Sequence, residues 1–246
     1  MTSVKQTPMF TDVMIDIESA STEPNALILS IGLVKFNMFT GCSSNLSCEI
    51  LIDVSEFFEF TQDENHTQTT ISYKTGTSSP YHIARDTITW WNTQSNQTRQ
   101  HTFCNGQRVN ISDALHQINT FCSTDETTKI ERFWAQGINF DPVVLEFAFK
   151  QNSIKPCWSY YQWRDSRTVS SLVPRYIWPK RNSLEAHDAL SDCHYQIQVL
   201  LASLASLKMK PSSTLTITPK PGDWKCVCGA NNFAYRTTCF KCNSRK

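Results

Sequence analysis

No apolar run in the 246-residue chain reaches the roughly 20 residues a membrane-spanning helix needs. The first ten residues, MTSVKQTPMF, have no apolar h-region, so no secretory signal is expected. Charge of one sign is also missing. Lys and Arg number 23 against 22 Asp and Glu, leaving +1, so no overall basic field attracts a polyanion. Any grip on nucleic acid must come from local patches or bound cations. No internal repeat is found, which removes solenoids and propellers. What remains is ordinary globular composition: apolar residues at 40% and charged residues at 18% suit a packed core. The length suits one α/β domain with a small appendage.

Ten cysteines raise the question of a disulfide framework, but four of them crowd into the last 21 residues. The others (Cys42, Cys48, Cys104, Cys122, Cys157 and Cys193) are scattered. A metal site in an intracellular, reducing compartment explains this distribution better than disulfides.

The pattern predicts strands over 12–18, 25–36 and 46–54, joined by short polar links as an antiparallel meander. Residues 60–80, polar and rich in Thr, Ser and Gln, read as an irregular insertion. A helix is expected over 84–94. Another follows Ser112 as N-cap, with Ala114, Leu115, Ile118 and Phe121 at helical spacing. A strand over 130–137 leads into a helix with Pro142 in its first turn. A fifth strand is expected within 157–163 and a long amphipathic helix over 187–207. Together these give an α/β fold, one mixed sheet flanked by helices. Residues 208–221, rich in Ser, Thr and Pro, read as a linker, and 222–246 as a separate small unit.

The stretch TDVMIDIESA carries Asp16 and Glu18 two apart in an apolar strand, so both point to one face. Buried carboxylates need a partner or a metal. Asp141 stands at a strand-to-helix junction and Asp192 follows His187 by five residues. Taken singly, Asp141 is a helix N-cap, Asp192 a solvated helix residue and His187 a core or capping histidine. Residues five apart lie about 140° apart around a helix, so His187 is expected on the loop before Asp192's helix. Asp188 pairs with Asp192 at i, i+4.

Taken together, DIES, NFD and HDALSD resemble the DEDDh branch of the DnaQ-like 3′–5′ exonucleases. The stretches DTITWWNTQS, QGINFDPVVL, QWRDSRT and AHDALSDC further resemble the phage DexA-type enzymes. The resemblance covers roughly residues 10–205 and implies an RNase H-like fold. It also implies Asp16, Glu18, Asp141 and Asp192 as ligands of two catalytic Mg²⁺ or Mn²⁺ ions, with His187 as general base. The pattern selects Asp192 over Asp188, which is then a first-turn helix carboxylate. Ser19 stands where the family commonly has Thr. Asp165 and Arg167 are read as structural, and Trp90 and Trp91 as core residues rather than base-stacking ones.

The tail has the spacing C-x-C-x10-C-x2-C at Cys226, Cys228, Cys239 and Cys242. Four thiolates so spaced point to one structural Zn²⁺. So small a block cannot build a core, and the metal must supply its folding energy. With GDW before it and NNFAYR inside, the block resembles the RanBP2-type zinc finger. That resemblance implies single-stranded nucleic-acid contacts at Phe233 and Arg236, with Tyr235 and Ala230 replacing an arginine and an asparagine. Gly229 and Ala230 follow Cys228 where ubiquitin-binding fingers carry Thr-Phe, so ubiquitin is not the expected partner. The expectation for the whole chain is a 3′–5′ exonuclease on single strands, leaning to DNA, with an exoribonuclease as the alternative. A non-catalytic adaptor is the alternative of a different class.

Overall fold

The computed structural model describes residues 10–41, 43–64, 68–74, 76, 78–123, 128–181, 187–207 and 221–246. It divides into two compact units, Met1–Met209 and Lys210–Lys246, taken separately below. The expected linker lies outside the described residues except for Pro221. Among the described residues, no helix is long and apolar enough to cross a membrane.

The larger unit opens with β1 (Phe10–Ser19), β2 (Ile28–Phe36) and β3 (Ser43–Ile52), an antiparallel meander. Strand β2 is buried along its whole length, as its apolar run requires. The segment expected to be irregular instead forms a hairpin, β4 (Phe58–Gln62) and β5 (Thr69–Tyr73). Its threonines favour extended backbone, and Phe58 and Ile71 anchor it in the core. Its outer edge is satisfied by side chains. Asn92 brackets both backbone groups of Ile71 at 2.9 and 2.8 Å, and the buried Arg99 donates through Nε to the Thr69 carbonyl at 2.7 Å. Those side chains come from α1 (Arg85–Thr93) and α2 (Asn96–Phe103), the second of which the sequence pattern did not reveal.

A short β6 (Arg108–Val109) precedes α3 (Ile111–Cys122), whose cap is Asn110 rather than Ser112. Its side chain accepts from Asp113 N–H at 2.9 Å. Then come β7 (Thr128–Ala135) and α4 (Asp141–Gln151). The fifth expected strand falls later than read: a 3₁₀ turn at Tyr160–Gln162 leads into β8 (Trp163–Asp165). α5 (Ser166–Ser171), a second 3₁₀ turn at Arg175–Ile177 and α6 (Ala189–Ser206) complete the unit.

The sheet order is β6-β3-β2-β1-β7-β8. β6 runs parallel to β3, and β7 and β8 run parallel to β1. On β1, Val13, Ile15 and Ile17 enter the core that also holds residues of α1 to α4, while Met14 packs with Cys193, Ile197, Leu200 and Leu204 of α6. Asp16 and Glu18 alternate with the first set, so they share the α6 face. Asp12, fully buried on that strand, is neutralised by Arg132 and also accepts from Trp134 Nε1–H at 2.9 Å.

Gly32 sets how closely α6 approaches. It pairs with Asp16 on one side and Glu49 on the other. A Cβ built at Gly32 would lie 2.3 Å from the Ala189 carbonyl oxygen, in the first turn of α6. Gly32→Ala is therefore expected to push the α6 N-terminus off the sheet, costing more than an ordinary surface change, about 1–3 kcal/mol. Denaturant unfolding of the variant checks this; wild-type stability would show that the helix does not depend on that contact.

In the smaller unit, β9 (Trp224–Lys225) and β10 (Asn231–Asn232) form a minimal hairpin. Gly229 supplies the positive φ of its turn at 85°. Asn232 is buried and its side chain accepts from Phe240 N–H at 3.0 Å, tying the two halves of the cysteine pattern together.

Candidate active site

The C-terminal ends of β1 and β7 lie side by side, because the two strands are parallel neighbours. Asp16 and Glu18 leave the first and Asp141 follows the second. Asp141 is not the N-cap of α4. It is the first helical residue, Phe140 occupies the cap position, and Asp141 Oδ1 accepts the Ile17 N–H at 3.1 Å. This ties the carboxylate to the backbone between Asp16 and Glu18. Asp192 lies in the first turn of α6 and forms an ion pair with Arg181. It is not a solvated helix residue. Gln196, one turn further, donates through Nε2 to Asp16 Oδ1 at 2.6 Å, and its own Oε1 is buried with no hydrogen-bond partner among the described residues. Asp16, Asp192 and Gln196 line a cavity of about 160 Å³ together with Gln136, Arg167, Arg181 and Tyr195.

His187 stands on the turn before α6 with φ 64°. Ligand atoms of Glu18, His187 and Asp192 all lie within 4.8 Å of one another. The two tryptophans, read together as core, divide. Trp91 is buried and donates to the Ser19 carbonyl at 3.0 Å, whereas Trp90 is 39% exposed and meets the His187 ring edge to face at 4.7 Å. Asp188 is the N-cap of α6 rather than a first-turn residue, accepting from Ser191 N–H at 2.7 Å. Its Oδ2 also meets His101 Nε2 at 2.9 Å, and the same nitrogen meets Glu49 Oε1 at 2.7 Å. Glu49 and His101 had no sequence signal of their own. They are distant in the chain, and only the row Asp16, Gly32, Glu49 across three strands brings them to the α6 N-terminus.

Asp165 is structural: Oδ1 accepts from Gly137 N–H and Arg167 N–H, each at 3.0 Å, and Oδ2 accepts from Thr168 Oγ1–H at 2.7 Å. It fixes the turn that delivers Asp141. Arg167 departs from the structural reading. Its Nη2 donates to the Gln136 carbonyl at 2.9 Å and the side chain lines the acidic cavity.

The clustering raises the carboxyl pKa values. Burial lifts Asp16 well above the ordinary range, reinforced by Asp141, Glu18 and Asp192. Burial does the same to Glu18, with Asp192 and Asp141 adding to it. Asp141 is pushed from 3.8 up to about 7 by burial, against the hydrogen bond from Ile17. Burial raises Asp192 despite Arg181, and lowers His187. A neutral imidazole is the form that accepts a proton.

A profile of the Rv2179c-like 3′–5′ exoribonuclease domain matches residues 11–204. The chain belongs to this family. The Rv2179c-like domain spans every site residue described above. No curated protein matches the chain. Among solved structures, the zinc-bound E. coli ExoI–ssDNA complex is similar at TM-score 0.53 and 13% identity. The match covers 81% of this chain and 41% of that one, so the chain spans less than half the length of that structure. Cell-death related nuclease 4 (CRN-4) follows at 0.48 and 11%, covering 81% and 65%. The nuclease domain of 3′hExo, a DEDDh family member, bound to rAMP, follows at 0.45 and 11%, covering 82% and 95%. The likeness to ExoI carries the fold: the Rv2179c-like domain has the RNase H-like mixed sheet.

The donor set fits divalent cations. Hard oxygen donors from four acids, with the orphaned Gln196 oxygen beside them, suit ions such as Mg²⁺ or Mn²⁺. In the tail, ligand atoms of Cys226, Cys228, Cys239 and Cys242 lie within 4.8 Å of one another. The Cys226–Cys242 and Cys228–Cys239 sulfurs are 3.4 and 3.6 Å apart. A tetrahedral ZnS₄ site has sulfur–sulfur edges of about 3.8 Å, so the cluster fits Zn²⁺.

These carboxyls are raised in the folded protein, so the stability linked to them is fully present below their unfolded pKa. It is lost as pH rises through the folded values. For Asp141 the window runs from 3.8 to about 7. With Mg²⁺ and Mn²⁺ withheld and zinc retained, the melting temperature should fall as pH rises through this window. Divalent cation should restore it increasingly toward the upper end. A cation-induced gain that stays constant with pH would contradict the shared acidic site.

Proposed function

We propose that the chain hydrolyses single-stranded nucleic acid from its 3′ end, releasing nucleoside monophosphates, with RNA as the favoured substrate. The observation that carries this reading is the cluster of Glu18, His187 and Asp192, with Asp16 and Asp141 close enough for Asp141 to raise the pKa of both Asp16 and Glu18, within a family of 3′–5′ exoribonucleases. The resemblance to the phage DexA-type enzymes favours DNA and is kept as the second reading.

In this account, the four acids would hold two divalent ions, which would supply charge stabilisation to the reacting phosphate. His187 takes a proton from the attacking water, and its ring is steadied by Trp90. Asp188 caps α6 and, through His101 and Glu49, holds the turn carrying His187. Asp141 is kept in place by Ile17 N–H. The water oxygen bonds to phosphorus as the bond from phosphorus to the 3′ oxygen of the penultimate nucleotide breaks, and that oxygen takes a proton from solvent and leaves as a hydroxyl.

The arrangement proposed is a catalytic domain at 1–207, a linker at 208–221 and a RanBP2-type finger at 222–246 that tethers the strand. The exposed Phe233 and Tyr235 rings stack on each other at 5.7 Å and 14°, with Arg236 over Tyr235 at 5.9 Å. In sequence Tyr235 stands only in place of an arginine. Stacked on Phe233, it extends an aromatic platform suited to bases. The compartment proposed is reducing and intracellular, from the scattered placement of six cysteines and the metal-ligand spacing of the other four.

Digestion of end-labelled single strands of RNA and DNA, side by side with Mg²⁺ and with Mn²⁺, tests the reading. A blocked 3′ end should stop the reaction and a blocked 5′ end should not, and Asp192→Ala should abolish it. Cleavage of closed circular strands at a comparable rate would instead show an endonuclease. A Phe233→Ala/Tyr235→Ala variant, which keeps the zinc thiolates, should raise KM on long strands by roughly tenfold and leave short ones unaffected. An unchanged KM would remove the tether.

A further inference from the structure

We infer that the strap at 173–181, VPRYIWPKR, is a second binding site, for the sugar–phosphate backbone and one base of a single strand entering the acidic cavity. This inference rests on the exonuclease reading and adds a site outside its catalytic groups. The chain is nearly neutral, yet between Asp165 and Glu185 it holds four Lys and Arg (Arg167, Arg175, Lys180 and Arg181) and no Asp or Glu. A solvated strap needs no such bias.

The geometry joins this charge to the cavity. At one end Arg181 pairs with Asp192 and lies over the Tyr195 ring at 5.2 Å. Tyr195 Oη–H donates to the Pro179 carbonyl at 3.4 Å, fastening the strap to α6. Arg181, Tyr195 and Arg167 all line the cavity. At the other end Arg175 lies over the Trp178 ring at 5.5 Å, which orients the guanidinium. Between them Tyr176 is 86% exposed, although the 3₁₀ turn that carries it packs against α6. Lys180 is exposed, with no ion pair to any described residue. Six residues of extended chain span at most about 20 Å. Arg175 and Tyr176 therefore lie within a few nucleotides of the scissile position.

An exposed aromatic ring flanked by cations, running into a pocket that cuts phosphodiesters, matches the chemistry of a single strand: phosphate for the cations, a base face for the ring. A duplex would offer no free base face to Tyr176.

The test uses the full chain and two readouts. The first is anisotropy of a labelled, 3′-phosphorylated single strand across a salt series. Arg175→Ala/Lys180→Ala should reduce the slope of log K against log salt by about 1.4, from two phosphates at about 0.7 each. Tyr176→Ala should weaken binding by roughly tenfold, and Tyr176→Phe should restore it. The second readout is turnover of a dinucleotide too short to reach the strap, for which kcat should match wild type. An unchanged slope and affinity would overturn the inference. So would an equal loss on the dinucleotide, which would mean damage to the cavity. Failure of the wild-type protein to cleave either substrate would sink the exonuclease reading instead, while the binding series would still judge the strap.

Discussion

Mutual repulsion among buried carboxylates is the constraint on which the rest of this structure depends. Asp16, Glu18, Asp141 and Asp192 come from three separate segments and are all raised in pKa by burial, reinforced for Asp16 by Asp141, Glu18 and Asp192 and for Glu18 by Asp192, Asp141 and Asp188. Such a cluster costs free energy unless a cation of higher charge enters. The protein supplies only partial relief: Arg181 on Asp192, a neutral amide on Asp16 and a backbone N–H on Asp141. Each contact orients a carboxylate without fully neutralising the set. That is the pattern expected where divalent ions complete the site.

The scaffold holds these groups at close range through one small residue. Gly32 lies in a row between Asp16 and Glu49, and the backbone of Ala189 rests on it. With no side chain beneath, the α6 N-terminus reaches the sheet. Its cap, Asp188, meets His101 and Glu49 on one side, and Asp192 and His187 meet Glu18 on the other. One contact thus sets both the position of the last acid and that of the base. On the same face, Met14 and Cys193 fill the space behind the acids, and Cys193 Sγ lies 3.3 Å from the Gly32 carbonyl.

The central strands were legible from their apolar runs, and the shared face of Asp16 and Glu18 followed from their two-residue spacing in a strand. The order of the acids and His187 likewise pointed to a 3′–5′ exonuclease, though not to the Rv2179c-like family. What stayed hidden was of another kind. The β4–β5 hairpin is polar, and its edge is closed by Asn92 and Arg99 from later helices, a long-range fact that local pattern cannot hold. The Glu49–His101–Asp188 contact needs three elements brought together. The split between buried Trp91 and exposed Trp90 depends on which side of α1 faces the core, and adjacent residues of one type cannot announce that. Asp141 looked like a cap because a carboxylate at a strand–helix junction usually is one. Its acceptor role toward Ile17 appears only when β1 and β7 are neighbours.

The central claim is that the four acids form a divalent-cation site. Calorimetric titration of zinc-loaded, full-length protein with Mn²⁺ at neutral pH tests it most directly. The account predicts two ions per chain, with binding lost in Asp16→Asn and retained in a variant altered only in the cysteine-bound tail. No binding, or binding unchanged by Asp16→Asn, would contradict it.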